Sequence, residues 1–266
     1  AVFDNPANLP DEDIEAFGKR IAEVVTSRIK EVRDGPVKLR MSQIGMKDRK
    51  LYYDINSGKQ TVFDGQTRIK FLYGDMVEEL ILFLIKASGH QVTDEQLEVV
   101  VDGVTGHMDC RVDDIPVDIK SASSYGFRKF SDGSITEGND PFGYIAQISG
   151  YADAVGAEES AFIVINKESG EISVIRLHDM EMINSKERIK HLQEVISSDK
   201  VPDRCYSDVP EGKSGNRVLP IGCVWCSHKD NCWADANGGT GLRTFNYSGG
   251  KKYFTHLEKM PKVEEV

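Results

Sequence analysis

Apolar residues recur at helical spacing near the start of the chain. Ile14, Phe17, Ile21, Val24, Val25 and Ile29 follow the polar start Pro10-Asp11-Glu12-Asp13 and precede Asp34-Gly35-Pro36, a pattern that predicts an amphipathic first helix. Leu39 to Asp54 mixes hydroxyl, amide and basic side chains with Tyr52 and Tyr53, and reads as a turn leading into a short helix. From Gln66 to Ser88 the apolar surface is too broad for a solvent-facing helix, and Gly89 ends it, so this helix is expected to be central. The pattern then becomes strand-like. Runs at Leu97 to Val101, His107 to Val112 and Pro116 to Ser121, parted by Asp102-Gly103 and Asp113-Asp114, predict an antiparallel meander. Ser123 to Asp140 reads as a long polar loop. A helix from Pro141 to Val155, strands at Ala161 to Asn166 and Ile172 to Leu177, and a last helix from Met180 to Ser198 complete the order.

This order predicts an α/β (α+β) chain in three parts: an N-terminal helical segment at 1–60, a core at 61–200 and a cysteine-bearing tail at 201–266. With 266 residues, 39% of them hydrophobic, the chain can bury a sizeable core. The longest apolar run, Leu80 to Ile85, meets Lys86 at once, far short of the roughly 20 residues that cross a bilayer. No membrane partner and no secretory signal are expected, which points to a reducing, cytoplasmic setting. A net charge of −10 argues against a protein that coats nucleic acid by charge alone, but leaves room for a local basic groove beside metal-holding carboxylates. Four of the five cysteines fall in the last quarter, which favours a local metal site over a disulfide framework.

The sharpest chemical feature is Gly106-His107-Met108-Asp109 on one predicted strand and Val117-Asp118-Ile119-Lys120 on the next. An antiparallel hairpin brings Asp109 and Asp118 to one end, and strand alternation puts Asp118 and Lys120 on one face while Ile119 points to the core. Two converging carboxylates call for a cation, which Mg²⁺ or Mn²⁺ supplies, and an adjacent lysine can orient a nucleophile or neutralise charge on a scissile phosphate.

Together with Glu78 on the preceding helix, these residues resemble the PD-(D/E)XK nuclease superfamily in its RecB-like branch, which includes the CRISPR adaptation exonucleases and the lambda-type exonucleases. Gly74-Asp75-Met76-Val77-Glu78 matches the helix that carries a metal ligand, with glutamate where many members have histidine and with Glu79 as a competing neighbour. Asp118-Ile119-Lys120 is a reduced spelling of the family's D-x-[DE]-x-K, Asp109 fills the preceding aspartate position, and Gln147-Ile148-Ser149-Gly150-Tyr151 matches Q-x-x-x-Y on the next helix. The resemblance implies a restriction-endonuclease-like αβββαβ core and a Mg²⁺- or Mn²⁺-dependent DNA exonuclease. Glu78, Asp109, Asp118 and the Ile119 carbonyl would be metal ligands, Lys120 would position the nucleophile, and Gln147 and Tyr151 would support the site. Single-stranded or duplex DNA ends would be the substrate, in phage or prokaryotic DNA processing, recombination or repair. An endonuclease of the same fold and a non-catalytic DNA-binding partner are the alternatives.

In the tail, Cys223-Val224-Trp225-Cys226 and Cys232 form C-x2-C-x5-C, with Cys205 upstream. Such a turn presents thiolates to one centre, for a [4Fe-4S] cluster or for Zn²⁺, with free or disulfide-linked thiols as the remaining alternative. The CRISPR adaptation exonucleases and AddB-type helicase-nucleases are similar here, with a C-terminal trio on a [4Fe-4S] cluster, but their fourth cysteine lies before the core. Ser42 to Arg49 holds no cysteine, so either Cys205 is the fourth ligand or the cluster site has changed or been lost. Cys110 and His107 read as structural. For DNA, Tyr125, Phe127, Arg128 and Lys129 are expected to offer stacking faces and cations from a loop after the catalytic strand, and Ser42, Gln43, Arg49 and Lys50 form a second candidate phosphate surface.

Overall fold

A computed structural model describes residues 9–31, 35–58, 62–178 and 181–266. The expected turn at Asp34 and the expected helix start at Met180 lie outside the described residues. The chain divides into two compact units, Ala1–Gly45 with Gly58–Gln193, and Met46–Ser57 with Glu194–Val266. In chain order the α-helices among the described residues are α1 (Asp11–Lys30), α2 (Asp48–Asn56), α3 (Gly65–Ala87), α4 (Ser124–Ser131), α5 (Tyr144–Val155), α6 (Ser185–Ser197), α7 (Ile221–Val224), α8 (Lys229–Cys232) and α9 (Ala236–Gly239). The strands are β1 (Val92–Thr93), β2 (Leu97–Val101), β3 (Val104–Met108), β4 (Cys110–Val112), β5 (Ile115–Ala122), β6 (Glu159–Asn166), β7 (Ile172–His178), β8 (Val209–Pro210), β9 (Arg217–Val218), β10 (Arg243–Tyr247) and β11 (Gly250–His256). Among the described residues no helix is long and apolar enough to cross a membrane.

The first unit is a mixed α/β layer structure. Its five-stranded sheet has the order β1-β4-β5-β6-β7, and β5 runs parallel to β6 while the other neighbours are antiparallel. A parallel pair needs a crossover, and α4 and α5 provide it. Strand alternation divides the core. Val117, Ile119, Ala161 and Ile163 pack with Ile81 and Leu82 of α3, whereas Phe162 and Val164 pack with Phe127 and Phe130 of α4 and Ile145 and Ile148 of α5. The α3 N-terminus is capped by Asp64, whose side chain accepts from the Thr67 N–H at 2.8 Å.

Three sequence expectations need correction. The run His107 to Val112 is not one strand: it breaks at Asp109, so β3 pairs with β2 in a separate hairpin while β4 joins the main sheet, and the meander is split between two sheets. The helix expected from Pro141 starts at Tyr144, because Asp140 caps the backbone and Gly143 stands at φ +77°, outside helical geometry. The long polar loop after β5 contains helix α4. Ser123 accepts from the Gly126 N–H at 3.4 Å as its N-cap, and Phe127 and Phe130, three residues apart, bury one helix face at 5% and 4% exposure.

Helix α1 lies along α3 and has no fully buried residue. Phe17 stacks on Phe83 at 4.8 Å, Arg20 holds Glu79 with two hydrogen bonds of 2.9 and 3.1 Å, and Arg28 holds Asp75 at 2.7 and 2.8 Å. Bidentate geometry is the strong form of such a pair.

In the second unit, which also holds α2, α7 and α8, β10-β11-β9-β8 make a small antiparallel sheet, and α9 packs on β11. Leu219, Cys223, Trp233 and Ala236 form its apolar centre, and Phe245 meets Phe254 edge to face at 5.2 Å. Buried Asn216 accepts from the Glu258 and Lys259 N–H groups and donates to the Lys259 carbonyl, all at 2.8 Å, so the last loop is tied down by one amide.

Candidate active site

Four charged side chains gather at one end of the main sheet in the first unit. Strand β5 supplies Asp118 and Lys120 on the face opposite Ile119, the bend between β3 and β4 supplies Asp109, and α3 supplies Glu78. Asp118 is 0% exposed. Lys120 Nζ donates to its Oδ1 at 2.9 Å and sits 2.7 Å from Oδ2, so one ammonium spans both carboxylate oxygens, the second contact lying off the hydrogen-bond angle. Asp109 Oδ2 accepts from the Ile119 N–H at 2.7 Å, and Glu78 Oε1 accepts from Gln96 Nε2 at 2.6 Å.

Crowding and burial hold these acids toward the protonated form. Burial pushes the Glu78 carboxyl up to about 7, with the Asp118 charge adding to it and the Gln96 hydrogen bond opposing. Burial, then the charges of Asp118 and Glu78, hold Asp109 well above the usual carboxylate range. Burial raises Asp118 as well, against the Lys120 ammonium. Burial alone would lower Lys120, but Asp118 and Asp109 outweigh it and keep the lysine charged. The competing Glu79 is committed elsewhere, to Arg20 of α1.

On α5, Gln147 Nε2 donates to Tyr151 Oη at 2.9 Å, and both residues are buried. Burial raises the Tyr151 hydroxyl, with the charges of Asp118 and Asp109 adding to it, so the pair does lie by the acidic cluster. Gly106 and Gly150 leave room for Met41 against this helix: a Cβ on Gly106 would fall 2.4 Å from Met41 Cβ and 2.8 Å from Tyr151 Cε1. Two residues beyond the motifs also line the site. Gln96, in a left-handed turn at φ +53°, reaches Glu78, and the Tyr144 ring lies under Lys120 with Nζ 4.9 Å from its centroid. No spacing rule marks either one.

The donor set is all oxygen and mutually repulsive, with three acids facing one ammonium, which suits a hard divalent cation. Among the described residues, however, no group of three His, Cys, Asp or Glu side chains is closed tightly enough to hold a metal ion.

The other candidates are dispersed. Tyr125 is 75% exposed and Arg128 is exposed on α4, and Lys129 donates to the Asn139 carbonyl at 2.7 Å. Phe127 faces the core from the helix, so its ring is not available to a base, contrary to the expectation for a loop. In the first unit Ser42 is exposed and Gln43 accepts from the Arg40 N–H at 3.1 Å. In the second unit Arg49 donates to the Pro202 carbonyl at 2.7 Å and lies over the Tyr53 ring, while Lys50 pairs with Asp54 at 2.5 Å. Those two cations thus already have internal partners.

Cys205, Cys223, Cys226 and Cys232 are all free thiols in the second unit and close enough to influence one another electrostatically. Burial pushes the Cys223 thiol up to about 11. Burial raises Cys205 too, although the Lys50 and Arg49 N–H groups at the start of α2 point to its sulfur and oppose the rise. Cys110 is fully buried beside β5.

No protein-family profile matches this sequence, and no curated protein sequence matches it. Solved structures overlap it in part. An alkaline exonuclease, LHK-Exo, from Laribacter hongkongensis is 16% identical over 66% of this chain and 89% of its own, with a TM-score of 0.41. A phage-related exonuclease from Haemophilus somnus 129PT is 15% identical over 61% of this chain and 92% of its own, with a TM-score of 0.43. The protein SSO0001 is 13% identical over 79% of this chain and 93% of its own, also at 0.43.

Proposed function

We propose that this protein is a divalent-metal-dependent DNA nuclease, acting as an exonuclease on linear ends. The observation that carries the reading is the crowding of Glu78, Asp109 and a fully buried Asp118 around one lysine, three acids against a single cation. Such an arrangement is costly to the fold and useful to phosphodiester chemistry. Glu78, Asp109, Asp118 and the Ile119 carbonyl would hold Mg²⁺ or Mn²⁺. When bound, the ion supplies Lewis acidity toward a phosphate oxygen and lowers the pKa of water.

The chain's own residues do the rest. Lys120, kept charged by Asp118 and Asp109, neutralises charge on the scissile phosphate and orients the attacking water. Gln147 and Tyr151, locked to each other, keep that side of the site rigid. Gln96 fixes the Glu78 rotamer. DNA is the proposed partner, through phosphate contacts that carry no sequence information. In the second unit, Cys205, Cys223, Cys226 and Cys232 would hold a [4Fe-4S] cluster, with Zn²⁺ the alternative for the same thiolates.

The test is incubation of purified protein with end-labelled single-stranded and duplex linear DNA and with closed circles, in Mg²⁺, in Mn²⁺ and in chelator. Metal-dependent loss of linear DNA with circles spared supports an exonuclease. Cut circles would make it an endonuclease, and DNA bound but uncut under either metal would overturn the nuclease reading.

A further inference from the structure

Phe142 is 63% exposed, yet its backbone is fixed. Asp140 Oδ1 accepts from the Phe142 and Gly143 N–H groups at 3.1 and 3.0 Å, and Oδ2 accepts from the Ile145 N–H at 2.9 Å. Gly143, left-handed at φ +77°, presses its backbone on Gly45 so closely that a Cβ there would fall 2.5 Å from the Gly45 Cα. The Phe142 ring stacks on Tyr144 with centroids 5.3 Å apart and planes 23° from parallel, and Tyr144 is the ring under Lys120. Single exposed apolar side chains are ordinary. This one is held rigidly and joined through one aromatic ring to the lysine of the candidate site.

The geometry points to Phe142 as a stacking platform for an unpaired nucleobase of the DNA strand whose phosphate reaches Lys120, with Tyr144 as its support. This deepens the nuclease reading and rests on it. An aromatic face accepts any base, because every base has a π-face, so the platform selects an unstacked nucleotide over a paired one without reading sequence. Preorganisation matters as much as area: a ring fixed before binding loses little freedom when a base settles on it. Phe142 touches no reacting atom in this scheme and is a positioning residue.

The experiment uses short single-stranded oligonucleotides carrying 2-aminopurine at the 5′ or the 3′ end, and matched ones with an abasic end, all in chelator so that no strand is cut. Stacking quenches 2-aminopurine fluorescence. The wild-type protein is expected to quench one of the two ends and to bind it more tightly than its abasic match. Phe142→Ala should lose the quenching and bind that end about 5- to 150-fold more weakly, no better than the abasic strand. Phe142→Trp should behave as wild type, and Phe142→Leu, which keeps bulk without a π-face, as the alanine variant. Equal quenching and affinity in Phe142→Ala, full rescue by leucine, or no quenching of either end by wild type would overturn the platform. The nuclease reading fails separately: quenching that depends on Phe142 with no cleavage in Mg²⁺ or Mn²⁺ sinks the enzyme and leaves the platform standing.

Discussion

The Ile119 backbone N–H donates to Asp109 Oδ2 at 2.7 Å, which ties the bend between β3 and β4 to the strand carrying Asp118 and Lys120. Asp109 therefore has two jobs, one structural and one electrostatic, and they separate by substitution. Asp109→Asn keeps an oxygen for the N–H and cannot take up the negative charge that the crowded, buried cluster resists. Its metal-free melting temperature should equal or exceed that of wild type, while cleavage falls by on the order of 100-fold or more. A lower melting temperature with cleavage intact would refute this.

Asp118 and Lys120 are unequal partners. Lys120→Ala strands a carboxylate that is 0% exposed and should cost about 3 kcal/mol in denaturant unfolding of the metal-free protein. Asp118→Asn leaves a lysine that is 20% exposed and still over Tyr144, so it should cost less. Both should abolish cleavage, and the double variant should be more stable than Lys120→Ala alone.

Gly45 and Gly143 meet backbone to backbone. A Cβ on Gly45 would stand 2.2 Å from the Gly143 Cα, and backbone cannot swing aside as a side chain does. Gly45→Ala should destabilise by about 1–3 kcal/mol and disturb the start of α5, whereas Gly18→Ala on α1, with open space around it, should be neutral or stabilising. Thermal melts of the two variants check this directly.

Asp208 gives the second unit an acid-sensitive fastening. Burial would raise its carboxyl, but hydrogen bonds from Thr255 at 2.7 Å and Arg217 at 2.6 Å prevail and hold it below the ordinary value. A lowered native pKa means that the unfolded chain binds more protons, so this contribution is present above the ordinary Asp value of 3.8 and is lost as the pH falls through the lower native one. Asp208→Asn should cost about 1.5–3 kcal/mol at neutral pH and progressively less below pH 4, read from unfolding curves across that range.

For the thiols, protein purified without air should carry iron with visible absorbance, or one equivalent of colourless zinc, and Cys226→Ser should lose most of it. Neither metal bound, with the second unit folded, would remove the cluster from the scheme.

Much of this architecture was legible because its signals are local. Alternation put Asp118 and Lys120 on one face, whereas the breadth of the apolar surface of α3 overstated its burial: only Glu79, Ile81 and Leu82 are buried, and Ile69, Tyr73 and Met76 are exposed. Helix α4 was hidden because Ser123, Ser124 and Gly126 carry turn chemistry, and only the Phe127 and Phe130 spacing argued otherwise. The break at Asp109 was missed although aspartate is a poor strand former, because β-forming residues flank it on both sides and each half closes its own tight hairpin, β3 with β2 and β4 with β5. Gln96 and Tyr144 reach the site from a turn and a helix start, where no periodicity points a side chain at a target.

The parallel pairing of β5 with β6 sets an order of events as the chain folds. Asp118 lies beside Phe162 and Lys120 beside Val164, partners that arrive only after α4 and α5 have been made. Such long-range pairings form late, since the loop must be closed before any contact rewards it. A nascent chain that stops short of β6 can already have α3 and the β2–β3 hairpin, yet it lacks the support on which the two charges stand. Cleavage competence should therefore appear as one of the last acquisitions of refolding, after helical signal has recovered.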